Sequence, residues 1–266
     1  MSYRASLIVS FLALPALAGA ASAQAPWEGD WTVTLKGNVG VSPRYPGSDQ
    51  LRTIPYPSLS VRRAGTPERY AVPDDPISFG LLDLGVFRAG PSFRYVGARK
   101  ASDNPELTGL RNVPWTAEGG AFMEIWPAEF ARARVDLRYG FRGHEGVVAD
   151  FAADGIYRYG PWTMSAGPRM TVASRDYMNA FFGVSAAEAF ANPVINQAYA
   201  PDGGLRSAGA SAALSYRFSQ QWAATGYARW DRLLGPAADS PVPKAFGSLN
   251  QFSFGGSVAY SFDTRL

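Results

Sequence analysis

The only histidine in this chain of 266 residues, His144, sits in Gly143-His144-Glu145-Gly146. Any hydrolase chemistry that needs an imidazole base must therefore run through it. A lipid-modifying hydrolase would pair it with a serine and an acid. Such residues are plentiful, but no spacing ties one of them to His144. The plainer reading is a polar hairpin turn whose glycines supply positive φ. With one histidine and no cysteine, a metal would have to recruit scattered carboxylates that lack ligand spacing. Neither a metal site nor a cofactor is expected, and no catalytic residue is assigned.

A second kind of chemistry lies in the charges. Between 131 and 141, Arg132, Arg134, Asp136 and Arg138 alternate with Ala131, Ala133, Val135, Leu137 and Tyr139, and between 147 and 159 Asp150, Asp154 and Arg158 do the same against Phe151, Tyr157 and Tyr159. Alternation with period two is the strand signature. One face is apolar and the other carries charge of both signs. Arg132, Arg134, Asp136, Arg138, Asp150, Asp154 and Arg158 are thus a candidate lumen charge network. Arg88, Arg94, Arg142, Arg169, Arg217 and Arg229 join it with Glu118, Glu124 and Asp231. Arginines lining a pore set anion preference, whereas mutual pairing braces the wall; for a narrow lumen the pairing is the preferred reading.

A third candidate is Tyr177-Met178-Asn179-Ala180-Phe181-Phe182-Gly183-Val184-Ser185, too apolar for a segment that merely hangs in water. It either folds back over the barrel mouth or docks a partner through Tyr177, Phe181 and Phe182, a candidate interaction loop.

The elements that would position these residues are strands. The alternation returns at 31–41, 208–218 and 252–262, and the last is the cleanest, with Phe252, Phe254, Val258, Tyr260 and Phe262 set against serines, Gly255 and Ala259. Strands are expected at 31–41, 52–63, 86–97, 114–126, 130–142, 147–159, 162–174, 206–218, 222–234 and 250–262. A short pair within 69–82, turning at Pro73-Asp74-Asp75-Pro76, would raise ten to twelve. Short turns at 127–129, 160–161 and 219–221 alternate with long connections at 98–113, 175–204 and 235–250. Aromatics flank each short turn, as at the periplasmic rim of an outer-membrane barrel. Pro55, Pro57, Pro91 and Pro168 fall inside these strands and call for bulges or shifted boundaries.

Arg4, the apolar run 5–17 and Ala21-Ser22-Ala23 have the layout of a secretory signal, so 1–23 is expected to be a signal peptide and 24–266 one barrel domain. No later stretch approaches the roughly 20 apolar residues of a spanning helix. A soluble sandwich or lipocalin-like barrel would also alternate, but its apolar interior could not hold so many charges. A formal net charge of +3 with charges spread singly argues against nucleic acid as a partner. The fold class read from the residues is all-β: a transmembrane antiparallel β-barrel of about 12 strands, in contact with outer-membrane lipid. The oligomeric state is left open.

Several segments, taken in order, resemble the MipA/OmpV family of outer-membrane proteins, the MltA-interacting protein family. They are Pro43-Arg44-Tyr45-Pro46-Gly47-Ser48, Gly97-Ala98-Arg99, Asp103-Asn104-Pro105-Glu106-Leu107-Thr108-Gly109-Leu110, the His144 turn, 177–185, Arg232-Leu233-Leu234-Gly235, Asp239-Ser240-Pro241-Val242 and Tyr260-Ser261-Phe262. The tail Asp263-Thr264-Arg265-Leu266 departs from barrels that stop at the terminal aromatic. The resemblance implies a non-enzymatic scaffold that brings a lytic transglycosylase together with a peptidoglycan synthase, and it carries over no catalytic residue. The alternatives are a narrow passive pore, a protein of osmotic or antibiotic stress and, more remotely, the hydrolase built on His144.

Overall fold

The computed structural model describes residues 29–65 and 70–265; the expected signal peptide lies outside them. Twelve strands follow one another: β1 (Asp30–Pro43), β2 (Leu51–Arg63), β3 (Ile77–Ser78), β4 (Leu82–Asp83), β5 (Phe87–Val96), β6 (Thr116–Ala128), β7 (Ala131–Arg142), β8 (Val147–Tyr159), β9 (Trp162–Ala173), β10 (Gly204–Arg217), β11 (Trp222–Leu233) and β12 (Asn250–Arg265). They pair antiparallel in one curled sheet with the order β2-β1-β12-β11-β10-β9-β8-β7-β6-β5-β3, with β4 also on β5. The ten long strands are those the alternation predicts, with ends moved by a few residues. No helix among the described residues is long and apolar enough to cross a membrane.

Period two dictates the two faces. Along β12, Phe252, Phe254 and Val258 are exposed on the outer face, while Gln251 and the serines point inward. Past Phe262 the strand simply continues: Asp263 pairs with Thr32 and Arg265 with Asp30, and Thr32 Oγ1 donates to Asp263 Oδ1 at 2.6 Å. At the end with short turns, exposed Phe130, Tyr159, Trp162, Phe218 and Trp222 form an aromatic girdle. Trp162 packs on Tyr216 and Trp222 on Tyr260 at 4.5 and 4.8 Å between ring centres.

The 69–82 segment differs from expectation. Only its second half joins the wall: β3 and β4 lie on β5, and between them Phe79 and Leu81 donate to the carbonyls of Pro91 and Ala89. Residues 70–76 leave the wall and fold into the lumen. Pro73 and Pro76 cannot donate to a ladder, and the Val72 N–H instead reaches Asp75 Oδ2 at 3.1 Å. Pro73-Asp74-Asp75-Pro76 is thus an internal turn and not the tip of a wall hairpin.

The prolines find their places at irregularities. Pro55 and Pro57 lie on β2, which among the described residues pairs only with β1. Pro91 faces the break between β3 and β4. At Pro168 the β8–β9 pairing is interrupted between Ala152–Arg169 and Gly155–Ala166 without a change of register, and the Arg169 guanidinium takes up the carbonyls of Ala153 and Pro168 at 3.2 and 3.0 Å.

The apolar core lies outside the barrel wall. The long connections form a cap over one end, with helices α1 (Arg175–Phe182), α2 (Ala186–Ala191), α3 (Gly235–Asp239) and α4 (Pro241–Phe246) and a 3-10 turn at Pro105–Leu107. Its buried side chains are Met178, Phe181, Phe182, Leu233 and Ala237 in one cluster and Tyr45, Leu107, Leu110, Val184, Ile195 and Val242 in another.

Candidate functional site

The lumen side chains follow from register. Glu118 and Glu124 on β6, the four charges of β7, Asp150 and Asp154 on β8, Arg169 on β9 and Arg229 with Asp231 on β11 all project from the inner face. Arg134 makes a two-pronged contact with Asp136 (2.7 and 2.9 Å) and reaches Glu124 at 3.3 Å, with its guanidinium 4.1 Å over the Phe122 ring. Arg138 binds Glu118 at 2.9 Å and also holds Asp150. Asp150 further accepts from Arg94 at 2.9 Å and from Thr171. Ser92 donates to Asp136 at 2.6 Å. Buried arginines and carboxylates are tolerable only when paired and hydrogen-bonded in this way.

The inserted segment completes the set. Arg132 grips Asp75 with both terminal nitrogens (2.7 and 2.8 Å) and also meets Asp154 at 3.1 Å. Asp74 is held from three strands at once, by Arg169 at 2.9 Å, Arg229 at 3.2 Å and Ser211 at 3.2 Å. Tyr70 meets the Ser165 hydroxyl. Asp74 and Asp75 were missed from the alternation because they lie off the strands. A signal for them exists: the inner faces named from sequence carry ten arginines against six carboxylates, and two adjacent aspartates fenced by prolines stand nearby.

Of the seven residues named for the network, the structure joins Arg132, Arg134, Asp136, Arg138, Asp150 and Asp154. Arg158 lies apart, exposed at the turn end and donating to the Glu129 carbonyl at 3.0 Å. Arg142 also lies apart, over the Trp115 ring, and Arg217 is exposed at the rim. Arg206 belongs to the interior although the alternation did not name it: it donates to the Tyr177 hydroxyl at 2.7 Å and to Thr171 at 3.3 Å.

His144 joins lumen to cap. The ring is 2% exposed and fills space left by Gly140, where a Cβ would sit 2.1 Å from it. Gly146 N–H donates to Nδ1 at 3.1 Å, so a neutral ring carries its proton on Nε2, facing Glu118 Oε1 at 3.1 Å. Tyr177 stands edge-on at 4.8 Å. Both nitrogens are engaged, neither by a serine. The positive φ angles of this hairpin fall on Arg142 and Glu145 and not on its glycines. Those are required for close approach: a Cβ at Gly143 would overlap Thr116 Oγ1.

The interaction-loop expectation for Tyr177, Phe181 and Phe182 is corrected. The segment forms α1, and the three residues are 2, 0 and 0% exposed. Their apolar area is spent in the cap core, so they offer a partner no surface. Arg99 locks α1 in place, donating to the Phe181 carbonyl at 2.7 Å and to Arg111 O at 3.1 Å, where a cation suits a helix C-terminus. Burial pulls this guanidinium down to about 10. Burial, with the Glu106 charge, pushes the nearby Tyr45 hydroxyl up to about 12. Glu188 caps α2 through Ser185 and takes Arg111 at 3.0 and 2.9 Å; burial would raise its carboxyl, but the Arg111 and Ser185 hydrogen bonds outweigh it and hold it at about 2.

The family model described as MltA-interacting protein MipA matches residues 19–262. No curated protein matches the chain. Among solved structures, the chain is similar to the NanC porin (8% identity, TM-score 0.38, 86% of this chain and 98% of that one). A COG4313 outer membrane channel from Pseudomonas putida F1 gives 11%, 0.38, 92% and 100%, and a bacterial polysaccharide outer membrane secretin 9%, 0.40, 87% and 98%. Likenesses at this level add nothing to what the strand pairing itself defines.

Proposed function

This chain belongs to the MltA-interacting protein MipA family, whose model covers nearly its whole length; it is an outer-membrane β-barrel, and we propose that it is a non-enzymatic scaffold that holds a lytic transglycosylase, and with it a peptidoglycan synthase, at the periplasmic face of the membrane. The family's own description supplies the first partner. The observation that supports a binding role over a catalytic one is the state of the interior: the lumen charges are paired with one another and both nitrogens of the sole histidine are engaged.

A scaffold then works through its outer surfaces. Among the described residues the turn end presents short connections at 84–86, 129–130, 160–161 and 218–221, with Phe130, Phe218 and Trp222 exposed beside them. A stable interface buries roughly 800 Å² per partner, more than such turns supply alone. A partner held at the same membrane needs less, because confinement raises its effective concentration.

The test places a photo-crosslinking residue at Glu129 or Gln220 on the turn end, and at Phe190 on the cap. Capture of a lytic transglycosylase from the first two and not from the third supports the scaffold. Capture of barrel-assembly factors alone from every position would remove it.

A further inference from the structure

We propose that the lumen is a gated passage for small anions, with residues 70–76 as the gate and Arg132, Arg169 and Arg229 as the anion-binding step behind it. The first support is charge balance. The ion pairs join seven arginines (88, 94, 132, 134, 138, 169 and 229) and six wall carboxylates (118, 124, 136, 150, 154 and 231) into one connected network. The wall alone is therefore left positive, and Arg206, which hydrogen-bonds to Tyr177 and Thr171, adds to the excess. The missing negative charge comes from Asp74 and Asp75, which no strand carries. A wall braced only by its own residues would be balanced without them.

The second support is position. Asp74 and Asp75 touch β7, β9, β10 and β11, so the segment packs against one side of the lumen. The opposite side, formed by β12, β1 and β2, carries no carboxylate along its middle stretch: Ser257, Asn38, Gly40 and Ser58 stand there beside Ile54, Tyr56 and two cations. There Ile54 and Tyr56 are 38 and 40% exposed, in contrast to the buried charges across from them, while Thr32, Thr34 and Gln251 nearer the strand ends are buried. The lumen is thus packed on one side and wetted at mid-height on the other, and the segment lies between. Lys36 and Arg52 face the wetted side from the inner faces of β1 and β2, which adds positive potential along the route. Withdrawing the segment widens this route and leaves Arg132 and Arg169 sharing Asp154 and Arg229 with Asp231 alone, a net positive set with donors free for a passing anion.

The experiment is conductance of the purified full chain in planar bilayers across a potassium chloride gradient, chloride being the probe. The protein as it stands should open rarely. Asp74→Asn with Asp75→Asn should raise conductance several-fold and move the reversal potential toward that of chloride, and Arg229→Gln added to this pair should move it back toward zero. Asp74→Asn alone keeps the Arg132–Asp75 pair and gives an intermediate conductance, which guards against a double variant that fails to fold. In that single variant, Tyr70→Cys and Ser165→Cys joined by a short bismaleimide should close the passage again; the chain has no other cysteine. A folded Asp74→Asn variant with unchanged conductance, or openings that favour potassium, overturns the proposal. The bilayer contains no partner enzyme, so neither result bears on the scaffold.

Discussion

The barrel interior and the cap bury side chains by opposite rules. Inside the wall, buried residues are mostly charged, namely Arg132, Arg134, Arg138, Glu118, Glu124, Asp136 and Asp154, with a few apolar groups such as Ile156 and Phe122, the latter under a guanidinium. In the cap, buried residues are Met178, Phe181, Phe182, Val184 and Val242. The difference follows from what lies on the other side of each layer. A wall facing lipid places its apolar side chains outward, so the inward half of every strand is left to polar groups that must satisfy one another. The cap faces water and buries apolar area as a soluble domain does. Its one deeply buried cation, Arg99, is held by backbone carbonyls and not by a carboxylate.

The contrast can be broken most forcefully at Arg132. Replacing it with Met leaves Asp75 without an arginine in the interior and takes one partner each from Asp154 and Glu124, and removing one partner of a buried pair costs roughly 3–5 kcal/mol. The heat-modifiable gel transition should fall markedly; an unchanged transition would mean that the network does not brace the wall. Phe181→Ala should cost about 3 kcal/mol, but locally: proteolysis within 175–203 should accelerate while the gel transition stays. If both move together, cap and lumen are one cooperative unit and the contrast is lost.

Glu188→Gln should cost the cap about 1 kcal/mol, the typical worth of a helix cap. Because the folded carboxyl is held near 2, below its ordinary range, its contribution is present at neutral pH and is lost as pH falls through that range toward about 2. Protease resistance of 175–203 should decline over that window in the parent and less so in the variant. Smallest of all, Arg158→Ala at the exposed rim should stay within about 0.5 kcal/mol; a loss like that at Arg132, read by the same gel transition, would extend the interior network to the rim.

The strands were legible because period two is strict where one face meets lipid, so 147–159 and 250–262 stand out without help from neighbours. The lumen charges on β7 and β8 were legible for the same reason. What escaped was whatever a strand does not carry. Asp74 and Asp75 take part through an inserted turn, and alternation says nothing about a segment that leaves the sheet. Tyr177, Phe181 and Phe182 were recognisable as too apolar for open water, but their partners lie tens of residues away, in Val113, Val148 and Leu233. The His144 turn was readable as a turn; the empty place at Gly140 that receives its ring was not, because it depends on which side chains the neighbouring strand omits.

The pairing of β1 with β12 has a kinetic side. It joins residues as far apart in sequence as Thr32 and Asp263, 231 positions, and it lies one strand in from the β2 edge of the sheet, the other edge being β3. The longest loop closure is therefore made in the interior of the sheet, which raises contact order and slows folding. Asp30 and Arg265 lie side by side, so a circular permutant joined there and opened between β2 and β3 would retain every strand neighbour while making nearly all of them sequential. Its folding rate, set beside that of the natural order, would isolate what chain connectivity alone costs a barrel of this kind.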